Sequence, residues 1–208
     1  NSLKLNKVEI MKLASWAIGL LLVFTGVAQA SAVKDVLGVW SLDEFYYVGE
    51  DGGRIDWCTG AHGLISYFPR HMAVGINCGD KKTLFYSGAL ELDAKKNEVI
   101  HRVKNFSDPS LATVFRRKVS FQGPNHLTLK GKMADGREVV LTWTRLEKFS
   151  YNDSKFFGVY ELVGSENAMA NGSSVPFCAG FYGTIAFTPG GHTYVSINCG
   201  AKVPGTVE

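Results

Sequence analysis

The stretch "GLISYFPRHMAVGINCG" at 63–79 returns as "GTIAFTPGGHTYVSINCG" at 183–200. Gly63/Gly183, Ile65/Ile185 and Pro69/Pro189 match at an offset of 120 residues. One residue is gained after the proline, and His71/His192, Val74/Val195 and the tetrapeptide Ile-Asn-Cys-Gly then match at 121. Upstream, "LGVWSLDEF" at 37–45 sets Gly38, Val39 and Leu42 against Gly158, Val159 and Leu162, and Cys58 and Gly60 against Cys178 and Gly180. So many matches at one offset mark a tandem duplication with a unit of about 120 residues. The second unit begins near Phe156 and reaches only Glu208, which reads as a truncated copy in a piece of a longer tandem protein.

Within the repeated stretch, apolar residues alternate with small or polar ones around a Pro-containing turn, the pattern of a β-hairpin. The same reading outward gives eight strands: Leu37–Val48, Gly63–Phe68, His71–Cys78, Thr83–Asp93, Asn97–Asn105, Ala112–Phe121, His126–Lys132 and Glu138–Glu147. Turn chemistry separates them, as at Asp51-Gly52-Gly53, Gly123-Pro124-Asn125 and Asp135-Gly136. Eight short strands with tight connections predict an all-β, eight-stranded up-and-down antiparallel barrel, since closure removes both exposed edges. The expected inward set is Trp40, Leu42, Ile65, Tyr67, Val74, Ile76, Tyr86, Leu90, Val99, His101 and Val103, followed by Phe115, Arg117, Val119, Leu127, Leu129, Leu141, Trp143 and Arg145.

The segment "MKLASWAIGLLLVFTGVAQA" at 11–30 has a basic start, an apolar run and a small-x-small end. It reads as a secretory signal peptide with a mature start at Ser31, and residues 1–10 as upstream of the start codon. A membrane anchor is the rival reading, but the run is short for a span of about 20 residues. The expected organisation is therefore 1–30 upstream and signal peptide, 34–148 a complete barrel, 149–155 a linker and 156–208 a second, truncated repeat. Export implies a secreted or periplasmic protein. The chain carries a net charge of +3, and no basic run is interleaved with aromatics, which excludes a nucleic-acid reading. No stable membrane span is expected after cleavage, and the oligomeric state is open.

The unit resembles the bacterial lipocalin-like domain family of the calycin superfamily. The resemblance rests on "LGVW" at 37–40, Gly-x-x-x-Tyr-x-Pro in "GLISYFP", "YSGALELD" at 86–93 and "VIHRV" at 99–103. The paired arginines of "FRRKVSF" at 115–121 and the closing "DGREVVLTWTRLE" at 135–147 complete it. It covers 34–148 in full and the early strands again over 156–200, departing at Tyr160 where a Trp is expected. It implies a small barrel whose cavity takes a small hydrophobic or amphipathic molecule, with no cofactor. It also implies that Trp40 and Arg145 close one end, Arg over indole.

Four cysteines in an exported chain allow three pairings. The repeat selects Cys58–Cys78 and Cys178–Cys199, each bracketing the same hairpin, with buried unpaired thiols as the alternative. Cys58, His62, His71 and Cys78 are also zinc-type ligands, but the second copy replaces His62 by Tyr182 while keeping its cysteines, which argues against a metal. His101 and Arg117 are the polar residues on inward faces, and a buried cation needs an acid, solvent or an anionic ligand. Glu44, in phase with Trp40 and Leu42, is the expected internal partner. The functional reading has Arg117 and His101 bind a carboxylate or polar head while Tyr67, Tyr86, Phe115 and Trp143 hold an apolar body. The structural alternative is an internal hydrogen-bonded network, or Arg117 reaching the barrel mouth. No nucleophile elbow, His-Glu-x-x-His or phosphate loop is present. Two rival functions stand beside a binding module: an isomerase- or cyclase-type barrel enzyme using His101, and an envelope interaction module with a filled barrel.

Overall fold

A computed structural model describes residues 33–79, 82–107, 112–133, 135–149 and 157–199. The expected signal peptide and nearly all of the linker lie outside the described residues. Among those described, no helix is long and apolar enough to cross a membrane.

A 3-10 turn at Val33–Val36 leads into nine strands: β1 Gly38–Val48, β2 Arg54–Asp56, β3 His62–Tyr67, β4 His71–Cys78, β5 Lys82–Asp93, β6 Glu98–Phe106, β7 Val114–Phe121, β8 His126–Lys132 and β9 Glu138–Lys148. From β3 to β9 each strand pairs antiparallel with the next, and β9 returns to β1 over most of its length. The eight long strands therefore close into the expected up-and-down antiparallel barrel. The short β2 is an addition to the expected set. It pairs with Tyr46–Val48 of β1, beyond the point where β3 pairs with Gly38–Ser41, so two strands share one edge of β1.

The inward faces follow the alternation read from the sequence. All of the expected inward residues except Arg145 are buried, and Phe45, Met72, Val139 and the turn residues Val33 and Val36 join them. One expectation is corrected. The register of β1 against β9 shifts between Leu42 and Glu44, a β-bulge that inserts one residue and reverses the phase beyond it. Phe45 consequently turns inward at 5% exposure, and Glu44 turns outward to pair with Arg54 at 2.6 Å. Glu44 is not the partner of Arg117.

Both disulfides form as the repeat indicated, Cys58 with Cys78 and Cys178 with Cys199, with Cα separations of 6.2 and 5.7 Å. The thiolates that a zinc site would need are thus bonded to each other. The first bridge ties the loop after β2 to the end of β4 across a separation of 20 residues. Loop-closure entropy makes such a bridge worth about 3 kcal/mol. Cys58→Ser/Cys78→Ser should lower the unfolding free energy by that amount in urea titration, and an unchanged midpoint would contradict it.

Beyond the barrel, β10 Gly158–Leu162, β13 Tyr182–Phe187 and β14 Thr193–Asn198 form a three-stranded sheet, and β11 Glu166–Ala168 pairs with β12 Ser174–Pro176. The sheet lies on the outside of the barrel. Val39, Phe68, Phe149 and Ala186 are buried together, with Leu64, Phe157, Val159 and Tyr194 packed around them. Tyr194 stacks on Phe85 at 5.3 Å, and the Asn105 amide donates to Thr184 Oγ1 at 3.1 Å. At the end of β9, Glu147 accepts from Thr188 Oγ1 at 2.6 Å and from Gly190 N at 2.5 Å, and it meets His192 Nδ1 at 2.8 Å.

Candidate ligand-binding lumen

One barrel end is sealed by side chains. Trp40 is fully buried and donates its indole N–H to the Val36 carbonyl at 2.7 Å, which fixes the 3-10 turn across the opening. The Arg145 guanidinium lies 3.9 Å from the Trp40 ring centroid, a cation–π stack. Its nitrogens also donate to the carbonyls of Asp35 at 2.7 Å, Leu37 at 3.1 Å and Pro124 at 2.9 Å. Trp40 and Arg145 thus lie together at this end, and their contacts are structural ones.

His101 sits in the middle of the lumen on β6, 1% exposed, between Leu90 of β5 and Phe115 of β7. Two tyrosine hydroxyls bracket its ring, Tyr67 at 2.9 Å from Nε2 and Tyr86 at 3.2 Å from Nδ1. In a neutral imidazole one nitrogen carries the proton and the other accepts, so one hydroxyl receives and the other donates. Burial holds His101 neutral, and the nearby charge of Arg117 acts in the same direction, pushing its pKa down to about 3. Burial likewise pushes the Tyr86 hydroxyl up to about 12 and that of Tyr67 well above its usual range. The Tyr–His–Tyr chain is therefore uncharged.

Arg117 is the exception to that neutrality. It is 5% exposed and lies over the Phe115 ring at 4.9 Å, with Nη1 donating to the Arg116 carbonyl at 3.3 Å. Burial lowers its pKa, opposed by the hydroxyls of Tyr86, Tyr67 and Tyr47, and among the described residues no carboxylate forms an ion pair with it. A guanidinium does not give up its proton inside a protein, so this is a charge held in an apolar lumen. Space for it comes from Gly131. A Cβ there would stand 2.5 Å from Arg117 Nη1 and 2.9 Å from its Cδ.

Trp143 of β9 lines the same interior at 1% exposure, and its indole nitrogen is buried without a hydrogen-bond partner. An unmet buried donor costs about 1–3 kcal/mol. Towards the other barrel end, Phe45 stacks on Trp57 at 4.7 Å, and Arg137 lies over Tyr47 at 4.3 Å. Trp57 immediately precedes Cys58, so the disulfide holds its loop beside this end.

Tyr67, Tyr86, His101, Phe115, Arg117 and Trp143 thus all lie on one interior surface. Tyr67, His101 and Tyr86 are directly linked, and Phe115 joins them through contacts with Tyr86 and Arg117. Tyr47, Phe45, Trp57 and Gly131 were not among the expected residues. Gly131 could have been found, because it follows Leu127 and Leu129 in the inward phase and the pairing Lys118↔Lys130 sets it opposite Arg117.

No family model matches the chain, and no curated protein matches it. Among solved structures, a redesigned β-barrel is 17% identical, covering 56% of this chain and 96% of that chain with a TM-score of 0.39. The redesigned barrel mFAP1, bound to DFHBI, is 16% identical over 55% of this chain and 98% of that one, with a TM-score of 0.37. A de novo fluorescence-activating barrel is 18% identical over 55% and 97%, with a TM-score of 0.36.

Proposed function

We propose that this chain is an exported lipocalin-like binding protein that holds one small amphipathic molecule in its barrel, with an anionic head at Arg117. The supporting observation is the buried guanidinium of Arg117, without a carboxylate partner among the described residues, in a lumen otherwise lined by neutral and apolar groups. Apolar pockets orient ligands through a few polar groups of this kind. A carboxylate at Arg117 neutralises the charge, and the Trp143 indole N–H is a second unused donor in the same interior. The two disulfides fit an oxidising compartment, in line with the signal peptide read from the sequence. The proposed organisation keeps 34–148 as the binding unit and 156–208 as a second repeat.

His101 favours binding over acid–base catalysis. An imidazole with a pKa of about 3, engaged on both nitrogens, is a poor proton acceptor at neutral pH. Its role in this reading is to hold Tyr67 and Tyr86 in place.

The test is Arg117→Met against a panel of fatty acids and their methyl esters. The parent protein should bind a free acid and melt at higher temperature with it. The variant should lose affinity for the acid by roughly 10- to 100-fold, since a charge-assisted hydrogen bond contributes about 1.5–3 kcal/mol. Without ligand it should be as stable as the parent or more so, because an uncompensated buried charge has been replaced by an apolar chain. Equal affinity for the acid in both proteins would sink the assignment of Arg117. An unliganded interior throughout, by native mass spectrometry, would sink the binding function itself.

A further inference from the structure

The sheet β10-β13-β14 repeats the register of the barrel's first strands residue for residue. Gly158↔Phe187 answers Gly38↔Tyr67, and Tyr160↔Ile185 answers Trp40↔Ile65. Gly183↔Ile197 answers Gly63↔Ile76, and Ile185↔Val195 answers Ile65↔Val74. The small hairpin does the same, with Glu166↔Pro176 for Tyr46↔Asp56. Identical register gives the two sheets identical faces, because side chains alternate strictly along each strand.

The two faces of the second sheet meet different surroundings. Its Val159, Thr184, Ala186 and Tyr194, equivalent to outward positions of the first unit, pack on the outer face of the barrel beside Val39 and Phe68. Outer face thus stacks on outer face, and the lumen-type face of the second sheet points away from the barrel. In the first unit, Val74 and Ile76 are 1% and 0% exposed; their equivalents Val195 and Ile197 are 50% and 45% exposed. The edges differ in the same sense. In the barrel, β4 pairs onward with β5 and β1 with β9, whereas β14 and β10 have no further strand partner among the described residues. The β14 edge beside this exposed Val/Ile face forms a template for strand addition.

We propose that the face carrying Ile185, Phe187, Val195 and Ile197 is the lumen face of a second barrel. Its partner is a run of antiparallel strands with the chemistry of β5–β9. The first of them pairs with β14 and the last with β10, and an alternating apolar side covers Val195 and Ile197. The first unit supplies the argument for this occupant, since β5 and β9 occupy those two edges there and Trp143 and Leu127 lie in the core with Val74 and Ile76. The inference stands on register and exposure, independently of any ligand in the first lumen.

The test joins a copy of Gly79–Lys148 directly after Cys199, in place of residues 200–208, at the junction that Cys78–Gly79 makes in the first unit. The added strands should fold onto the sheet. Amide exchange at Val195 and Ile197 should slow by roughly 100-fold or more as their edge becomes an interior strand. Binding of a hydrophobic dye to the exposed face should disappear. The double change Val195→Lys/Ile197→Lys in the extended chain should abolish this protection and leave that of the first barrel intact. The proposal fails if the added strands stay unprotected, or if the double variant protects them equally well. It also fails if the unextended chain forms a dimer that the same two lysines dissociate, since the occupant is then a second copy.

Discussion

Acidification from pH 6.5 to pH 3 is expected to remove on the order of 5 kcal/mol of stability through His101 alone, at about 1.4 kcal/mol per pH unit. The sign follows from which state binds the proton. In the unfolded chain the imidazole titrates at its ordinary 6.5, while in the barrel burial and Arg117 hold it near 3. Between those values the unfolded chain takes up a proton that the folded one refuses, so stability is complete above pH 6.5 and falls as pH drops towards 3. His71, whose pKa is lowered by partial burial and by Lys104 and Arg70, acts in the same direction. The depressed carboxyls of Glu147, Glu91 and Asp135 add acid sensitivity only below about pH 4.5, the ordinary value for Glu. Urea midpoints at pH 6.5, 5.5 and 4.5 therefore isolate the histidines. His101→Gln keeps polar atoms for Tyr67 and Tyr86 but cannot take up the proton, so its stability should be flatter across this window than the parent's. Parallel curves for parent and variant would mean that His101 is not held neutral in the interior.

The barrel was legible because its signals are local. Alternation set the faces, Gly, Pro, Asn and Asp set the turns, and the duplication checked both on a second copy. Seven of the long strands begin and end within one residue of their expected limits, and β7 starts two residues late, at Val114 rather than Ala112. The bulge in β1 was not legible, since Leu42-Asp43-Glu44-Phe45 places two acids between two apolar residues and suits either phase. Only the pairing with β9 decides that Phe45 goes inside. The short β2 exists because β1 extends past β3 and leaves an edge for Arg54–Asp56, a tertiary cause with no period of its own. The site divides similarly. That His101 and Arg117 face inward follows from phase alone. That Tyr67 and Tyr86 reach the two nitrogens of His101 depends on how far apart β3, β5 and β6 lie across the lumen, which no spacing along the chain encodes.

Trp40 and Trp143 look alike in sequence and in burial, yet they should respond differently to truncation. Trp40→Ala is expected to cost about 3–5 kcal/mol, the range for deleting a large buried aromatic. Three losses combine there: the volume of a fully buried ring, the acceptor role of the Val36 carbonyl, and the surface on which Arg145 stacks. A domain with a net stability of about 5–15 kcal/mol is left near its threshold by such a change. The Phe substitutions separate hydrogen bonding from volume. Trp40→Phe keeps an aromatic ring but strands the buried Val36 carbonyl, adding about 1–3 kcal/mol to the volume cost. Trp143→Phe removes an indole nitrogen that has no partner, so no protein hydrogen bond is lost, and removing an unmet donor offsets part of the lost volume. Urea unfolding of the two Phe variants should therefore show Trp40→Phe as clearly the less stable. The reverse order would mean that the Trp143 nitrogen is satisfied within the folded chain, which would remove it as a donor available to a ligand.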